Sequence, residues 1–153
     1  MDADPEAGKQ AFTTLIDAHL DAKAFGRLAP MLPTLAEKIG DEEAQVLLAK
    51  VEKNSTSPTV RAWAVFARLS GTLENSEIGS DAYEAAKKEM GAAMEGIEDR
   101  RLASQIGQKT TVREKFSIGM VSPDIEGIDL DGTAFKLSDY EGKVIFLDFW
   151  GDW

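Results

Sequence analysis

Cysteine is absent from the 153 residues. That excludes disulfides, zinc–thiolate sites, iron–sulfur clusters and cysteine nucleophiles within them. Histidine occurs once, as His19, so a His-rich metal site is excluded and a histidine-based triad has little to build on. Positive charge is scarce: 17 Lys plus Arg stand against 27 Asp plus Glu, a net charge of −10. A surface of that sign repels phosphate backbones, so nucleic acid is not an expected partner. No apolar run approaches the ~18 residues that cross a bilayer, so no direct membrane span is expected. The start, Met1-Asp2-Ala3-Asp4-Pro5-Glu6, has neither a basic cluster nor an apolar stretch, and no signal peptide is read there. No cofactor and no metal site is expected. What is present, 43% hydrophobic and 29% charged residues, is the profile of a globular chain.

From about Pro5 to Lys115 the apolar spacing is helical. Phe12, Leu15, Ile16, His19 and Leu20 fall on one stripe. Leu28, Met31, Leu32, Leu35 and Ile39 make a second, with Pro30 and Pro33 limiting its first turns and Gly40 offering a stop. Asp41-Glu42-Glu43 suits a helix start, and Ala44, Leu47, Leu48 and Val51 continue inward until Asn54-Ser55-Thr56 breaks the helix. That triplet is a formal glycosylation sequon, read here as a helix breaker. Ser57-Pro58 is an N-cap followed by a first-turn proline, leading the stripe Val60, Trp63, Ala64 and Ala67. The stretch from Gly71 to Gly79 reads as a polar loop. Ser80 or Asp81 then caps a helix carrying Tyr83, Ala86, Met90, Met94 and Ile97, and a last helical segment holds Leu102, Ile106, Val112 and Phe116. An antiparallel helical bundle or a short helical repeat is expected over 1–116. His19, on the first stripe with no second ligand in view, is expected to be buried or partly buried.

Near Ser117 the texture changes. Turn-rich residues lead to Ile125-Glu126-Gly127-Ile128-Asp129-Leu130, a half-exposed strand, and Asp131-Gly132 is a hairpin turn before Thr133-Ala134-Phe135-Lys136-Leu137. A calcium loop is rejected, because its first and last acidic positions fall on Gly127 and Ser138. Ser138-Asp139-Tyr140 begins a short helical turn that Gly142 ends. The run that follows puts Val144, Phe146 and Trp150 on one face and Ile145, Leu147 and Phe149 on the other. Apolar on both sides, it reads as a strand from the middle of a sheet with helices on each face. The class expected is therefore α+β as present, with 117–153 expected to open an unfinished α/β domain and the chain expected to be an N-terminal piece of a longer protein.

The stretch 119–153 resembles the first part of thioredoxin-like redoxins of the TlpA/ResA type, neighbours of the AhpC/TSA peroxiredoxin family. Gly119-Met120-Val121-Ser122-Pro123-Asp124 matches an opening Gly-x-x-Ala-Pro-Asp phrase, with serine for alanine. Asp129-Leu130-Asp131-Gly132 matches the hairpin, and Leu137-Ser138-Asp139-Tyr140-Glu141-Gly142-Lys143 the Leu-Ser-Asp-x-x-Gly-Lys phrase. Residues 144–153 are similar to the strand that leads into the redox centre. The resemblance implies a thioredoxin-like fold and a Cys-x-x-Cys immediately after Trp153. It implies thiol–disulfide exchange with a protein disulfide or dithiol substrate, or with a thioredoxin-type reductant, in cell redox homeostasis. It also implies a periplasmic or otherwise extracytoplasmic home.

In such proteins an acid stands six residues before the first cysteine, which is the place of Asp148. Held between Leu147 and Phe149, it would relay the proton of the second thiol. Trp150, Gly151 and Trp153 would surround the redox site. Two alternatives stand beside this reading. A peroxiredoxin usually carries Pro-x-x-x-Thr/Ser-x-x-Cys, and the sequence from Phe149 to Trp153 lacks that proline and threonine. A non-catalytic helical interaction module would use residues 5–115 to bind a partner.

Overall fold

Three side chains start three of the helices. Ser57 Oγ accepts from the Val60 amide, Ser80 Oγ from the Tyr83 amide at 3.3 Å, and Asp99 Oδ1 from the Leu102 amide at 3.0 Å. Each satisfies an amide that the helix itself leaves without a partner. The computed structural model describes residues 5–148. In chain order the helices are α1 (Pro5–His19), α2 (Lys23–Leu28), α3 (Leu32–Ile39), α4 (Asp41–Asn54), α5 (Pro58–Asn75), α6 (Asp81–Ala93), α7 (Arg100–Gly107) and α8 (Arg113–Phe116). The chain divides into two compact units between Glu114 and Lys115.

The helical unit packs around α5. Val60, Trp63, Phe66 and Leu73 are buried on it, and α4 contributes Leu48 and Val51 from the neighbouring side. Tyr83 and Met90 of α6 and Leu102 of α7 join the same cluster. Met94 packs against it partly buried. Burial of such side chains is worth about 1.5–3 kcal/mol each, more than enough to outweigh local helix propensities of under about 1 kcal/mol.

That balance explains where the sequence reading fails. Helix α5 continues through Gly71 to Asn75 instead of ending in a loop, because Leu73 completes its buried face. Pro30 does more than limit a helix: it sits in a 3-10 turn, Ala29–Met31, between α2 and α3. Between α7 and α8 the chain widens into a π-helical turn, Gln108–Val112. The extra residue shifts the helical phase, so Val112 and Phe116 emerge exposed while Ile106 stays packed. His19 is exposed, not buried, because it lies in the last turn of α1, where the chain swings away toward α2.

The second unit contains β1 (Glu126–Ile128) and β2 (Ala134–Lys136), an antiparallel pair in the register Glu126↔Lys136, Gly127↔Phe135, Ile128↔Ala134. Asp129 Oδ1 accepts from the amides of Asp131 at 3.0 Å and Thr133 at 2.8 Å, which shapes the turn. Gly132 supplies its φ of 81°. Gly127 lies under the Phe135 ring, where a Cβ would meet Cζ at 2.9 Å. A 3-10 turn, Leu137–Tyr140, follows β2.

Candidate functional site

The redoxin-like phrases assemble into one bracket within the second unit. Asp124 accepts from the Ser138 amide through Oδ1 and from the Ser138 hydroxyl through Oδ2, both at 2.9 Å. The Leu137 amide donates to the Ile125 carbonyl at 2.9 Å, one step beyond the strand pairing. Asp139 Oδ2 accepts from the Lys136 amide at 2.8 Å, and Lys136 pairs with Glu126 across the strands. The Glu141 amide then donates to the Ser138 carbonyl and the Lys143 amide to the Tyr140 carbonyl, each at 3.1 Å. The first and third phrases, separated by the hairpin in sequence, thus meet at a carboxylate and a serine. The Ser138 amide and hydroxyl, with Lys136 nearby, hold the Asp124 carboxyl below the usual aspartate range.

Beyond Gly142 the segment 144–148 forms no regular element. Val144 and Phe146 are almost wholly exposed, at 103% and 93%, whereas Ile145 and Leu147 are half covered, at 44% and 49%. Asp148 is exposed too, contrary to the sheltered position expected between Leu147 and Phe149. The physical reason is that no strand among the described residues lies beside 144–148 to cover it. Trp150, Gly151 and Trp153, and with them the expected redox-site surround, lie outside the described residues.

The clamp of Asp124 on Ser138 was not singled out by sequence reasoning. Ser138-Asp139 was legible as a turn start, and Pro123-Asp124 as part of a phrase. Neither residue type signals which carboxylate receives the serine. Among the described residues, no group of three or more His, Cys, Asp or Glu side chains is arranged to hold a metal ion, and no helix is long and apolar enough to cross a membrane.

No family model matches the chain, and no solved structure matches it. Curated proteins do match part of it. Over 43 residues it is 44% identical to the thiol-disulfide oxidoreductase ResA of Bacillus thuringiensis subsp. konkukian, covering 28% of this chain and 25% of that protein. The ResA of Geobacillus thermodenitrificans is 42% identical over 43 residues, with the same coverage. That of Bacillus cereus is 45% identical over 40 residues, 26% of this chain and 23% of the relative. The matched stretch thus spans about a quarter of the length of these curated relatives. Part of this chain is therefore similar to thiol–disulfide oxidoreductases of the thioredoxin-like redoxin family.

Proposed function

We propose that residues 117–153 open a thioredoxin-like redoxin domain and that the protein to which they belong exchanges dithiols for disulfides. The observation that carries this reading is the 44% identity to ResA over 43 residues. It is supported by the four phrases standing in order in the sequence, three of them folded as approach loop, hairpin and turn. On this reading the segment 144–149 is the first central strand, and a Cys-x-x-Cys follows Trp153.

The chemistry runs in two displacements. The thiolate of the first cysteine attacks a protein disulfide. A mixed disulfide forms, and the substrate's other sulfur leaves as a thiolate that takes a proton. The second thiol gives its proton to Asp148 and attacks the first cysteine's sulfur, and the substrate sulfur leaves as a thiolate that takes that proton back from Asp148. The substrate leaves as a dithiol, the protein pair becomes a disulfide, and a thioredoxin-type reductant resets it. Trp150, Gly151 and Trp153 border the site. Disulfides persist outside the cytoplasm, which suits an extracytoplasmic location.

Reading the gene past Trp153 tests the assignment at once. A Cys-x-x-Cys supports exchange, and a single cysteine with an upstream threonine points to peroxidase chemistry. No cysteine at all favours the reading of the helical unit as a non-catalytic protein-interaction module. The product containing the two cysteines should reduce insulin disulfides in the presence of dithiothreitol, and residues 1–153 alone should not. Asp148→Asn should slow turnover by about 10-fold to 100-fold and alter its pH profile.

A further inference from the structure

We propose that Asp124 and Ser138 form a positioning pair that fixes the Leu137–Tyr140 turn against the approach to β1 and so sets the direction in which 144–148 leaves the hairpin. Its consequence for catalysis rests on the thiol-exchange reading; the clamp itself does not.

The second unit has little else to hold it. None of its described residues is buried, and an isolated two-stranded hairpin is marginal in water. Its order must come from hydrogen bonds that are mutually consistent. Asp124 makes two of them to one residue, across 14 positions of sequence. They close the loop that the Ile125–Leu137 backbone bond begins. The turn so fixed also holds the next two constraints, Glu141 on Ser138 and Lys143 on Tyr140. Lys143 is the last residue before the apolar segment, and its Nζ lies 5.5 Å from the Tyr140 ring centroid. A chain of contacts thus runs from Asp124 to the base of 144–148. Loss of the serine hydroxyl removes one bond and leaves the backbone bond. Loss of the carboxylate removes both. The substitution Ser138→Thr keeps a hydroxyl at the same place, so it should reverse the effect of Ser138→Ala.

The test has two arms. In the 153-residue chain, the Ser138 amide proton shift should titrate with the Asp124 carboxyl, at a midpoint below the ordinary aspartate value of 3.8. Asp124→Ala should abolish that titration and shift the Glu141 and Lys143 amides. Ser138→Ala should give a smaller change, and Ser138→Thr should match the parent. Unchanged Glu141 and Lys143 amides in Asp124→Ala overturn the clamp. In the longer gene product, Asp124→Ala and Ser138→Ala should lower kcat for disulfide reduction by about 10-fold to 100-fold, the scale of a misplaced reacting group, with KM little changed and Ser138→Thr restoring the rate. If the amides respond but the rate does not, positioning is overturned and the exchange reading stands. If the parent product reduces no disulfide while the amides respond, the exchange reading falls and the clamp stands.

Discussion

The indole Nε1 of Trp63 donates to Asp99 Oδ2 at 2.9 Å, joining residues 36 positions apart. The other oxygen of the same carboxylate caps α7 through the Leu102 amide. Trp63 and Leu102 are both buried, so Asp99 links the N-terminal part of α5 to the start of α7. Asp99→Ala removes the cap, worth about 1 kcal/mol, and strands a buried indole N–H, worth about 1–3 kcal/mol. We expect a loss of about 2–4 kcal/mol in urea unfolding of the helical unit. Asp99→Asn, which retains an oxygen acceptor, should lose less.

The same carboxyl makes the unit acid-sensitive. The Leu102 amide first, then the Trp63 indole, hold Asp99 below the ordinary value of 3.8. Asp21 is lowered likewise, first by the Thr56 amide at 3.0 Å and then by its hydroxyl at 2.8 Å. A depressed folded-state value means that the unfolded chain takes up protons first as pH falls. The stabilisation is therefore whole above the ordinary carboxylate range and drains away as pH drops through the lower folded values. Urea midpoints measured between about pH 6 and pH 3 should fall less steeply in Asp99→Asn than in the parent.

Tyr83 predicts the opposite limb. Burial, and then the Glu114 carboxylate that accepts from its hydroxyl at 3.0 Å, push its phenol up to about 12. The Arg113 guanidinium, 5.6 Å from the ring centroid, opposes this in part. Below the ordinary value of 10.0 the phenol is protonated in both states and contributes no slope. Above it the unfolded chain ionises first, so stability falls as pH rises toward about 12. Tyr83→Phe should remove this part of the slope, and the parent should keep a late phenolate component in absorbance at 295 nm.

How much was legible follows from the range of the forces involved. Ser57-Pro58 and Ser80 are local signals, and both cap the helices expected of them. The stripe Val60, Trp63, Ala64, Ala67 is a local period, and all four are buried. Gly71 misled because its low propensity is visible in sequence and the distant partners of Leu73 are not. The π turn at Gln108–Val112 leaves no compositional trace, so the phase of Val112 and Phe116 could not be foreseen. The hairpin was readable from Asp131-Gly132, yet the clamp of Asp124 on Ser138 is a tertiary choice. Asp148 shows the same limit: its shelter depends on neighbouring strands, which its own flanking residues do not specify.

Core packing gives a prediction that separates the two units. Leu48 on α4 is wholly buried in the cluster around α5. Leu48→Ala should cost about 2–5 kcal/mol, the sum of lost transfer energy and the cavity left behind. Gly132 stands at a φ of 81°, where a Cβ meets its own backbone although nothing else lies within 4 Å. Gly132→Ala should therefore cost about 1–2 kcal/mol of hairpin order through strain alone. Among the described residues the buried hydrophobic ones all precede Lys115, in the first unit, so the two changes are expected to report separately. We expect Leu48→Ala to lower the urea midpoint of the helices and leave the β1–β2 amide shifts in place. Gly132→Ala should move those shifts and leave the midpoint unchanged. A midpoint that fell with Gly132→Ala would mean that the hairpin contributes to the helical core.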